Sequence, residues 1–280
     1  MEKIIYGREF FNIEDTLTCG QTFRFKPFDR GYKVFSADKC AYVFSDGTYT
    51  IIQCENGDVD YFYNYFDLKT DYSEIVKRAK SHCIEAISQS AESGKGIRIL
   101  RQDLYEVAVS FIISQNNNIP RIKSIIERLC EELGERKVFA GDKYFAFPSA
   151  ERMSAESIDF FKKMGLGYRA EYVKEFSSAV AGGLNLSDLS ALCTVDLMAK
   201  LISMYGIGPK VANCIALFGY KRTDSFPVDT WIEKVYKNDL HGLLTDRKKI
   251  SAELVDKFKS DAGYIQQYLF HYKRNNSDKI

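Results

Sequence analysis

Lys210 and Asp229 are the residues of this sequence whose type and surroundings could carry out covalent chemistry. Lys210 directly follows Pro209, which fits the first position of a helix because the N–H that proline lacks would be unpaired there anyway. A protonated ammonium is disfavoured near the positive end of a helix dipole, so this position favours the free amine. A free amine can attack an electrophilic sugar carbon and can form a Schiff base once the ring opens to an aldehyde. Lys210 is therefore the candidate nucleophile, although a lone lysine is more often a solvent-exposed charge.

Asp229 precedes a helical pattern formed by Trp231, Ile232 and Val235, which places it where a helix N-cap is expected. The backbone N–H groups of a first helical turn hold an aspartate there in its ionised form. Such a carboxylate can stabilise a developing positive charge or orient a nucleophile across a cleft. Capping alone is the simpler interpretation, and the two roles are compatible.

The elements that must position these two residues begin with a helical hairpin at about residues 197–220. Apolar residues repeat at helical spacing after Thr194, a predicted N-cap, and Gly206 can supply the left-handed residue that ends this first helix. A tight turn through Gly208 then leads to a second helix, whose unpaired N–H groups suit an anion such as a DNA phosphate. An ordinary helical hairpin with a solvated face is the alternative.

The strings GIGPK and FPVDTW resemble the hairpin and the following loop of the helix-hairpin-helix DNA glycosylase superfamily, over about forty residues. Members that also cleave the DNA strand carry a lysine at the position of Lys210, and the aspartate of the pattern corresponds to Asp229. Tyr205 is a departure, because many members have proline before the first glycine. The difference concerns the rigidity of the hairpin more than its chemistry.

The string LTCGQTFRF resembles the SGQ-F-RW segment of the 8-oxoguanine DNA glycosylases, with Cys19 in place of serine and Phe25 in place of tryptophan. In that family the carbonyl of the glycine accepts a hydrogen bond from N7–H, a proton that 8-oxoguanine has and guanine lacks. The resemblance therefore implies that Gly20 discriminates the lesion.

Two further strings, NNNIPRI and GLGYRA, resemble segments of the same family that contact the DNA around the extruded base. The resemblance implies that Asn116 fills the gap left by that base and that Arg121 reads the cytosine left behind. It also implies that Tyr168 wedges beside the opposite base and that Arg169 donates to it. Extruding a base costs a few kcal/mol, and an amide side chain can partly replace the lost hydrogen bonds. A capped polar loop and a helix C-cap are the structural alternatives.

The resemblance extends to the walls of a base pocket. Cys214 lies one turn beyond Lys210, where the family has a cysteine against one face of the flipped base. AGYIQQYLF resembles the family's AGWAQ-VLF, which implies that Phe270 packs on the other face and that Gln266 reads the Watson–Crick edge. Without the resemblance, Cys214 and Phe270 would be interpreted as core residues. Trp231 departs from the pattern, since the eukaryotic enzymes have histidine there, near a phosphate.

We expect no cofactor. The seven cysteines are scattered without a CxxC pair, and none follows Cys214, whereas related families end in four closely spaced cysteines for an iron–sulfur cluster. The three histidines do not have zinc-ligand spacing. The resemblance does imply a monovalent cation held by hairpin carbonyls, for which the candidates are Ile202, Met204 and Ile207.

Composition limits the class of protein. The chain has 280 residues, 45% of them hydrophobic, which is enough for a sizeable core. Its net charge of +1 argues against a uniformly basic nucleic-acid binder, so any DNA contact must come from a local patch. No apolar run reaches about eighteen residues and no targeting signal is present, so we expect a cytoplasmic, nucleoid-associated protein of bacterial type, monomeric and without a membrane partner.

The expected fold class is α+β, with a twisted antiparallel sheet packed on an all-α helix-hairpin-helix domain. The first third alternates like strands at 22–25, 32–35, 41–44 and 48–52, with a turn at Asp46-Gly47, and a helix is predicted over 73–91. From Asp103 onward the pattern is helical, and Pro120 opens a helix that Gly134 closes. We predict a TBP-like sheet domain over 1–95 and a helical glycosylase domain over 96–280.

These observations together predict a bifunctional 8-oxoguanine DNA glycosylase with AP lyase activity, acting on duplex DNA with cytosine opposite the lesion. Two alternatives stay open. One is a sister glycosylase for another damaged purine, such as an alkylated base. The other is a non-catalytic module that uses the hairpin only to clamp phosphate.

Overall fold

The computed structural model describes residues 1–276. A five-stranded antiparallel sheet with strand order β1-β5-β4-β3-β2 occupies the N-terminal part of the chain. Its strands are β1 (Glu2–Gly7), β2 (Phe25–Phe28), β3 (Gly31–Ser36), β4 (Lys39–Ser45) and β5 (Tyr49–Cys54).

Fourteen α-helices lie within residues 1–276, thirteen of them after β2. They are α1 (Ile13–Thr18), α2 (Val59–Tyr65), α3 (Tyr72–Ser81), α4 (Glu85–Ser93), α5 (Leu104–Ser114), α6 (Ile119–Leu133), α7 (Ala150–Ala155), α8 (Ile158–Lys163), α9 (Arg169–Ala181), α10 (Thr194–Ile202), α11 (Pro209–Phe218), α12 (Thr230–Asn238), α13 (Arg247–Phe258) and α14 (Ala262–Asn275). A second, two-stranded sheet is formed by β6 (Arg136–Phe139) and β7 (Asp142–Phe145). The predicted α+β class, a sheet followed by a helical domain, is confirmed.

Alternation of side chains explains how the large sheet covers its core. In β5 the side chains of Thr50, Ile52 and Cys54 are buried while their neighbours are more exposed. Ile52 packs with Val43 of β4 and with Phe62 of α2, so one face of the sheet is closed by the helix that follows it.

The predicted first strand at 22–25 is wrong for three of its four residues, since β2 begins at Phe25. The side chains before it turn into the helical part instead. Phe23 packs edge-on against Phe111 of α5, with ring centroids 5.7 Å apart. Arg24 forms a buried ion pair with Glu106 of the same helix at 3.0 Å. These contacts draw the segment before β2 towards the helices.

The single helix predicted over 73–91 is in fact two, α3 and α4. Cys83 between them adopts a left-handed backbone conformation with φ +54°. His82 packs edge-on against Phe258 at 5.0 Å, which holds the break against α13. Both helices pack into the larger core, where Ile75 and Ile87 join residues of α14.

The helical part is built around α5, which is buried along its length. Asp103 caps it by accepting from the N–H groups of Tyr105 and Glu106, as the sequence predicts. The predicted helix between Pro120 and Gly134 is confirmed as α6, with Asn118 as its N-cap. No helix within residues 1–276 is long and apolar enough to cross a membrane.

Candidate active site

A small cavity lies where α11, the start of α12, α14 and the segment before β2 meet. Its volume is about 50 Å³. The lining residues are Cys19, Gly20, Phe111, Lys210, Cys214, Phe218, Pro227, Asp229, Gln266, Gln267 and Phe270. All six residues for which the sequence predicts catalysis or base recognition therefore line one cavity, although they come from stretches up to 250 residues apart.

Lys210 is the second residue of α11, after Pro209. Its ammonium nitrogen lies 5.7 Å from the ring centre of Phe111. Within residues 1–276 it makes neither a hydrogen bond nor a salt bridge, so no protein group holds it away from a ligand. The predicted helix start at Pro209 is confirmed.

Asp229 is the N-cap of α12, as predicted, and one carboxylate oxygen carries out the capping. Oδ1 accepts from the N–H groups of Trp231 and Ile232, each at 2.9 Å. Oδ2 has no hydrogen-bond partner in the described chain, which leaves it available to a ligand. A lysine and a carboxylate, each at the start of a helix, thus border the same cavity, where a developing positive charge would meet a fixed negative one.

Cys214 lies beside both charged groups. Burial raises the pKa of its thiol to about 11, while Lys210 acts to lower it and Asp229 to raise it. The thiol is therefore neutral at physiological pH and contributes a soft, uncharged wall to the cavity.

The opposite wall is closed by Phe270 against Gly20. Gly20 has φ +82°, and a Cβ built on it would lie 3.1 Å from Cε1 of Phe270, so the ring rests on the glycine. Small-molecule sites usually measure about 300–1,000 Å³. A purine would enter this cavity only after the partly buried Phe270 ring moves away from Gly20.

Gln266 supplies an orphaned acceptor. The residue is 5% exposed, and its Oε1 is buried without a hydrogen-bond partner in the described structure. A buried polar atom left unpaired costs about 1–3 kcal/mol, which a ligand carrying an N–H group would recover. Gln266 and Phe270 share one side of α14, as their spacing predicts.

A second and larger cavity of about 690 Å³ lies on the other side of Lys210. Met198, Ile202 and Val228 give it an apolar wall, and Arg247 is at its edge. Lys210 therefore borders both cavities.

The hairpin between α10 and α11 has the predicted turn. Gly206 has φ +83°, and a Cβ there would lie 2.2 Å from the Tyr172 ring, so only glycine fits. Gly208 is the N-cap of α11 and has no side chain to satisfy the first N–H groups. The predicted N-cap of α10 is wrong: Cys193 occupies that position, because Thr194 lies in the helix and donates to Asp224 at 2.9 Å.

The hairpin carbonyls predicted to bind a cation belong to Ile202, Met204 and Ile207. Met204 O accepts the N–H of Ile207 at 3.1 Å and keeps its second lone pair. The donor set consists of neutral oxygens, which suits a monovalent cation, and the cation itself stays a prediction. No group of three His, Cys, Asp or Glu side chains that could hold a metal ion occurs within residues 1–276.

The four residues predicted to contact the DNA around the extruded base lie outside the cavity, beside the hairpin. Asn116 is exposed in a left-handed conformation with φ +46°, and Arg121 is also exposed. Tyr168 is 51% exposed. Gln115, next to Asn116, contacts the hairpin by donating to Gly206 O at 2.9 Å.

Arg169 is the exception in this group, because it is only 5% exposed. Its guanidinium donates to the carbonyls of Gln115, Asn116 and Leu166, and it lies 4.4 Å from the centre of the Tyr168 ring. Most of its donors hold the Asn116 loop in this structure. The predicted contact with the opposite base stays a prediction.

Sequence reasoning missed two glutamines at the site, Gln21 and Gln267. Both are buried and donate to the Cys19 segment. Gln267 could have been noticed as a second buried amide beside Gln266, but its partner is 248 residues away. No local spacing gives that contact.

Two protein-family models match this chain, one after the other along the sequence. Residues 3–107 match the family described as the N-terminal domain of 8-oxoguanine DNA glycosylase. Residues 109–260 match the family described as HhH-GPD superfamily base excision DNA repair protein.

Individual relatives include a solved structure of Clostridium acetobutylicum 8-oxoguanine glycosylase/lyase, in complex with double-stranded DNA containing cytosine opposite 8-oxoG. It has a TM-score of 0.90 and 35% identity, and the match covers 96% of this chain and 93% of that one. A probable N-glycosylase/DNA lyase of Methanothermobacter thermautotrophicus is 28% identical over 75% of this chain and 73% of its own length. The Arabidopsis thaliana N-glycosylase/DNA lyase OGG1 is 35% identical over 63% of this chain, and the match spans 52% of the plant protein.

Proposed function

This chain belongs to the HhH-GPD superfamily of base excision DNA repair proteins, and from that premise we propose that it excises 8-oxoguanine from duplex DNA and nicks the strand through a lysine Schiff base. The observation that carries the proposal is one cavity lined by Lys210, by Asp229 and by the orphaned acceptor of Gln266. The first two suit chemistry at a sugar carbon, and the third suits a base whose edge presents donors.

Base recognition is proposed to use two acceptors. Guanine and its 8-oxo form carry N–H groups on the Watson–Crick edge, which match the unpartnered Oε1 of Gln266. Only 8-oxoguanine carries N7–H, which matches the carbonyl of Gly20, another lining residue of the cavity. Phe270 and Cys214 would pack on the two faces of the extruded base, in place of the stacking lost from the duplex.

The chemical step begins when Nζ of Lys210 attacks C1′ and the bond from C1′ to N9 breaks. The electron pair of that bond leaves with the base, which takes up the proton that Nζ loses, and the Asp229 carboxylate stabilises the positive charge that develops on the sugar. Ring opening gives a Schiff base between C1′ and Nζ. Loss of a C2′ proton then expels the 3′ phosphate, and hydrolysis of the Schiff base releases Lys210.

The DNA backbone is proposed to lie along the hairpin, with the unpaired N–H groups at the start of α11 directed at a phosphate. We propose that Asn116 fills the space left by the extruded base and that Tyr168 wedges beside the opposite base. Arg121 and Arg169 would give the preference for cytosine opposite the lesion, since a guanidinium offers a planar fork of donors.

We further propose that the protein acts as a monomer in the cytoplasm, associated with the nucleoid. It would need no iron–sulfur cluster or other cofactor, apart from a monovalent cation at the hairpin carbonyls of Ile202, Met204 and Ile207. The large apolar cavity beside Lys210 would take the deoxyribose and its flanking backbone.

Borohydride trapping tests the proposal. With an 8-oxoguanine duplex we expect a covalent protein–DNA adduct from the wild type and none from Lys210→Gln. Lys200→Gln is the matched control, because Lys200 is an exposed lysine of the same hairpin outside the cavity. It should trap DNA as the wild type does.

The same assay separates the two alternatives. A sister glycosylase would act on a duplex with an alkylated purine and leave 8-oxoguanine in place. A phosphate-clamping module would bind DNA equally with and without Lys210→Gln and would never form the adduct. Either result would overturn the proposed activity.

A further inference from the structure

Cys19, which precedes Gly20, is the meeting point of three buried hydrogen bonds. Its thiol donates to Thr16 O at 3.2 Å and accepts from Nε2 of Gln21 at 3.2 Å. It also accepts from Nε2 of Gln267, again at 3.2 Å. We call Cys19 with these three partners the thiol hub.

Each member of the hub is shielded from water. Cys19 is 1% exposed, Gln21 0% and Gln267 2%. Burial raises the pKa of the Cys19 thiol to about 11, although the two amides act to lower it. The thiol therefore keeps its one proton for Thr16 O at neutral pH and has its lone pairs for the two amides, so its bonding capacity is fully used.

One side of the hub is anchored in the N-terminal part of the chain. Gln21 Nε2 also donates to Thr16 O at 2.9 Å and to Arg98 O at 2.8 Å, and its Oε1 accepts from Leu100 N at 2.8 Å. Gln102 donates to the backbone carbonyl of Gln21 at 2.7 Å. Gln21, the residue that follows Gly20, is therefore held through both its side chain and its backbone carbonyl.

The other side is anchored in α14. Gln267 donates to the thiol of Cys19 and, at 3.5 Å, to its backbone carbonyl. The next residue towards the N-terminus, Gln266, carries the unpartnered acceptor in the base cavity. Adjacent glutamines of one helix thus do different things: Gln266 presents an acceptor to the cavity, and Gln267 holds the segment that contains Gly20.

Gly20 needs such support because its own conformation is weakly restrained. Glycine populates positive and negative φ with similar ease, and this glycine is at φ +82°, where a Cβ would meet only the edge of the Phe270 ring. The strength of a hydrogen bond between N7–H and a carbonyl depends on its direction. A Gly20 carbonyl that was free to rotate would therefore accept a weaker hydrogen bond from 8-oxoguanine. It would also repel the N7 lone pair of guanine less strongly.

We propose that Gln267 is a positioning residue for lesion discrimination, which acts through Cys19 to hold the Gly20 carbonyl towards the base. This inference rests on the proposed function, because it presumes that the Gly20 carbonyl reads N7–H. It assigns to Gln267 and Cys19 a role in choosing between guanine and its oxidised form, and none in breaking the bond.

The test uses Gln267→Met, which keeps an unbranched side chain of similar length and removes the donor. The measurement is the ratio of single-turnover excision rates for 8-oxoguanine and guanine opposite cytosine. We expect this ratio to fall about fivefold, the factor that corresponds to a hydrogen bond of about 1 kcal/mol. Strand cleavage at a preformed abasic site should stay within about twofold of the wild type, because no base has to be read there.

Tyr268→Phe is the matched control. Tyr268 is the next residue of α14, 1% exposed, and its hydroxyl is buried without a partner in the described structure. The change therefore alters a buried polar atom of the same helix outside the cavity. It should leave the ratio unchanged.

Two variants of the hub itself keep the test decisive if Gln267→Met folds poorly. Cys19→Ser retains a group that donates once and accepts twice, so it should keep the ratio within about twofold. Cys19→Ala removes that group and should lower the ratio as Gln267→Met does. The two losses should not add in the double variant, because both act through one contact.

Equilibrium binding of 8-oxoguanine and guanine duplexes in a Lys210→Gln background gives an independent measure of the same ratio. If the wild type selects 8-oxoguanine over guanine and both Gln267→Met and Cys19→Ala select it equally well, this inference is overturned and the proposed function is not. A wild type that removes neither base would overturn the proposed function, and this inference with it.

Discussion

Replacement of Gly20 by alanine should damage recognition far more than it damages the fold. An alanine at φ +82° costs about 1–2 kcal/mol because its Cβ crowds the following carbonyl. The added methyl would also lie 3.1 Å from Cε1 of Phe270, closer than ordinary carbon contacts, so the ring must shift by a few tenths of an ångström. It would occupy a cavity of only about 50 Å³. One extra methylene in a close-fitting pocket is worth about 1–3 kcal/mol, or roughly 10–200-fold in rate.

Gly141→Ala separates the cost of the strained backbone from the cost of the methyl group in the cavity. Gly141 has φ +85°, close to the value at Gly20, but a Cβ there would meet nothing within 4 Å. Both variants should therefore lower the Tm by a similar amount, about 2–6 °C for a chain of this size. Only Gly20→Ala should slow excision of 8-oxoguanine, by about tenfold or more.

The assay is single-turnover excision, with the Tm followed by circular dichroism and strand cleavage at a preformed abasic site measured in parallel. That cleavage should survive in Gly20→Ala because Lys210 and Asp229 are unaltered. If Gly20→Ala excises the base as fast as Gly141→Ala does, the placement of Gly20 at the base is wrong. If cleavage at the abasic site falls as much as excision does, the effect is not on recognition.

Three further outcomes are expected. Asp229→Asn keeps a good N-cap and should change the Tm by less than about 1 °C. It should nevertheless lower the rate of excision about 100-fold or more, because the negative charge is lost. A variant as active as the wild type would assign Asp229 to capping alone. Arg121→Ala and Arg169→Ala should relax the preference for cytosine when excision is compared across the four opposite bases. Arg169→Ala should also lower the Tm, because it frees the Asn116 loop. Unchanged selectivity in both variants would refute the role of these arginines in the preference for cytosine. Titration of the native protein with a thiol reagent should detect two fast thiols, Cys83 and Cys193, and seven after denaturation.

Local patterns predicted the elements that depend on neighbours in the sequence. The turn at Gly206, the helix start at Pro209 and the cap at Asp229 follow from backbone geometry that a few residues specify, and all three are present. The strand β1 escaped prediction because it is an edge strand with little burial, and Ile5 in it is 60% exposed. The break between α3 and α4 escaped because a cysteine rarely adopts positive φ.

The candidate site, too, could be predicted from local spacing only in part. Spacing alone puts Gln266 and Phe270 on one side of a helix, but no spacing brings Gly20 to Phe270; that expectation came from resemblance to a family. The contact between Gln267 and Cys19 lay beyond both kinds of reasoning, since it depends on tertiary packing of residues 248 positions apart. For Arg169 the motif was recognised in the sequence, but its burial against the Asn116 loop was not predicted.

Because the ribosome makes α14 after the other parts of the site, the residues that line the cavity are synthesised in a fixed order. A nascent chain that has reached α12 already contains Lys210 and Asp229, whereas the glutamine and phenylalanine that enclose the base are still to be translated. Gln266, Gln267 and Phe270 are thus the last of the lining residues to be synthesised. A chain that ended before α14 would also lack Ile265, Tyr268 and Leu269, which are buried in the larger core, so it would lose part of that core together with two walls of the cavity.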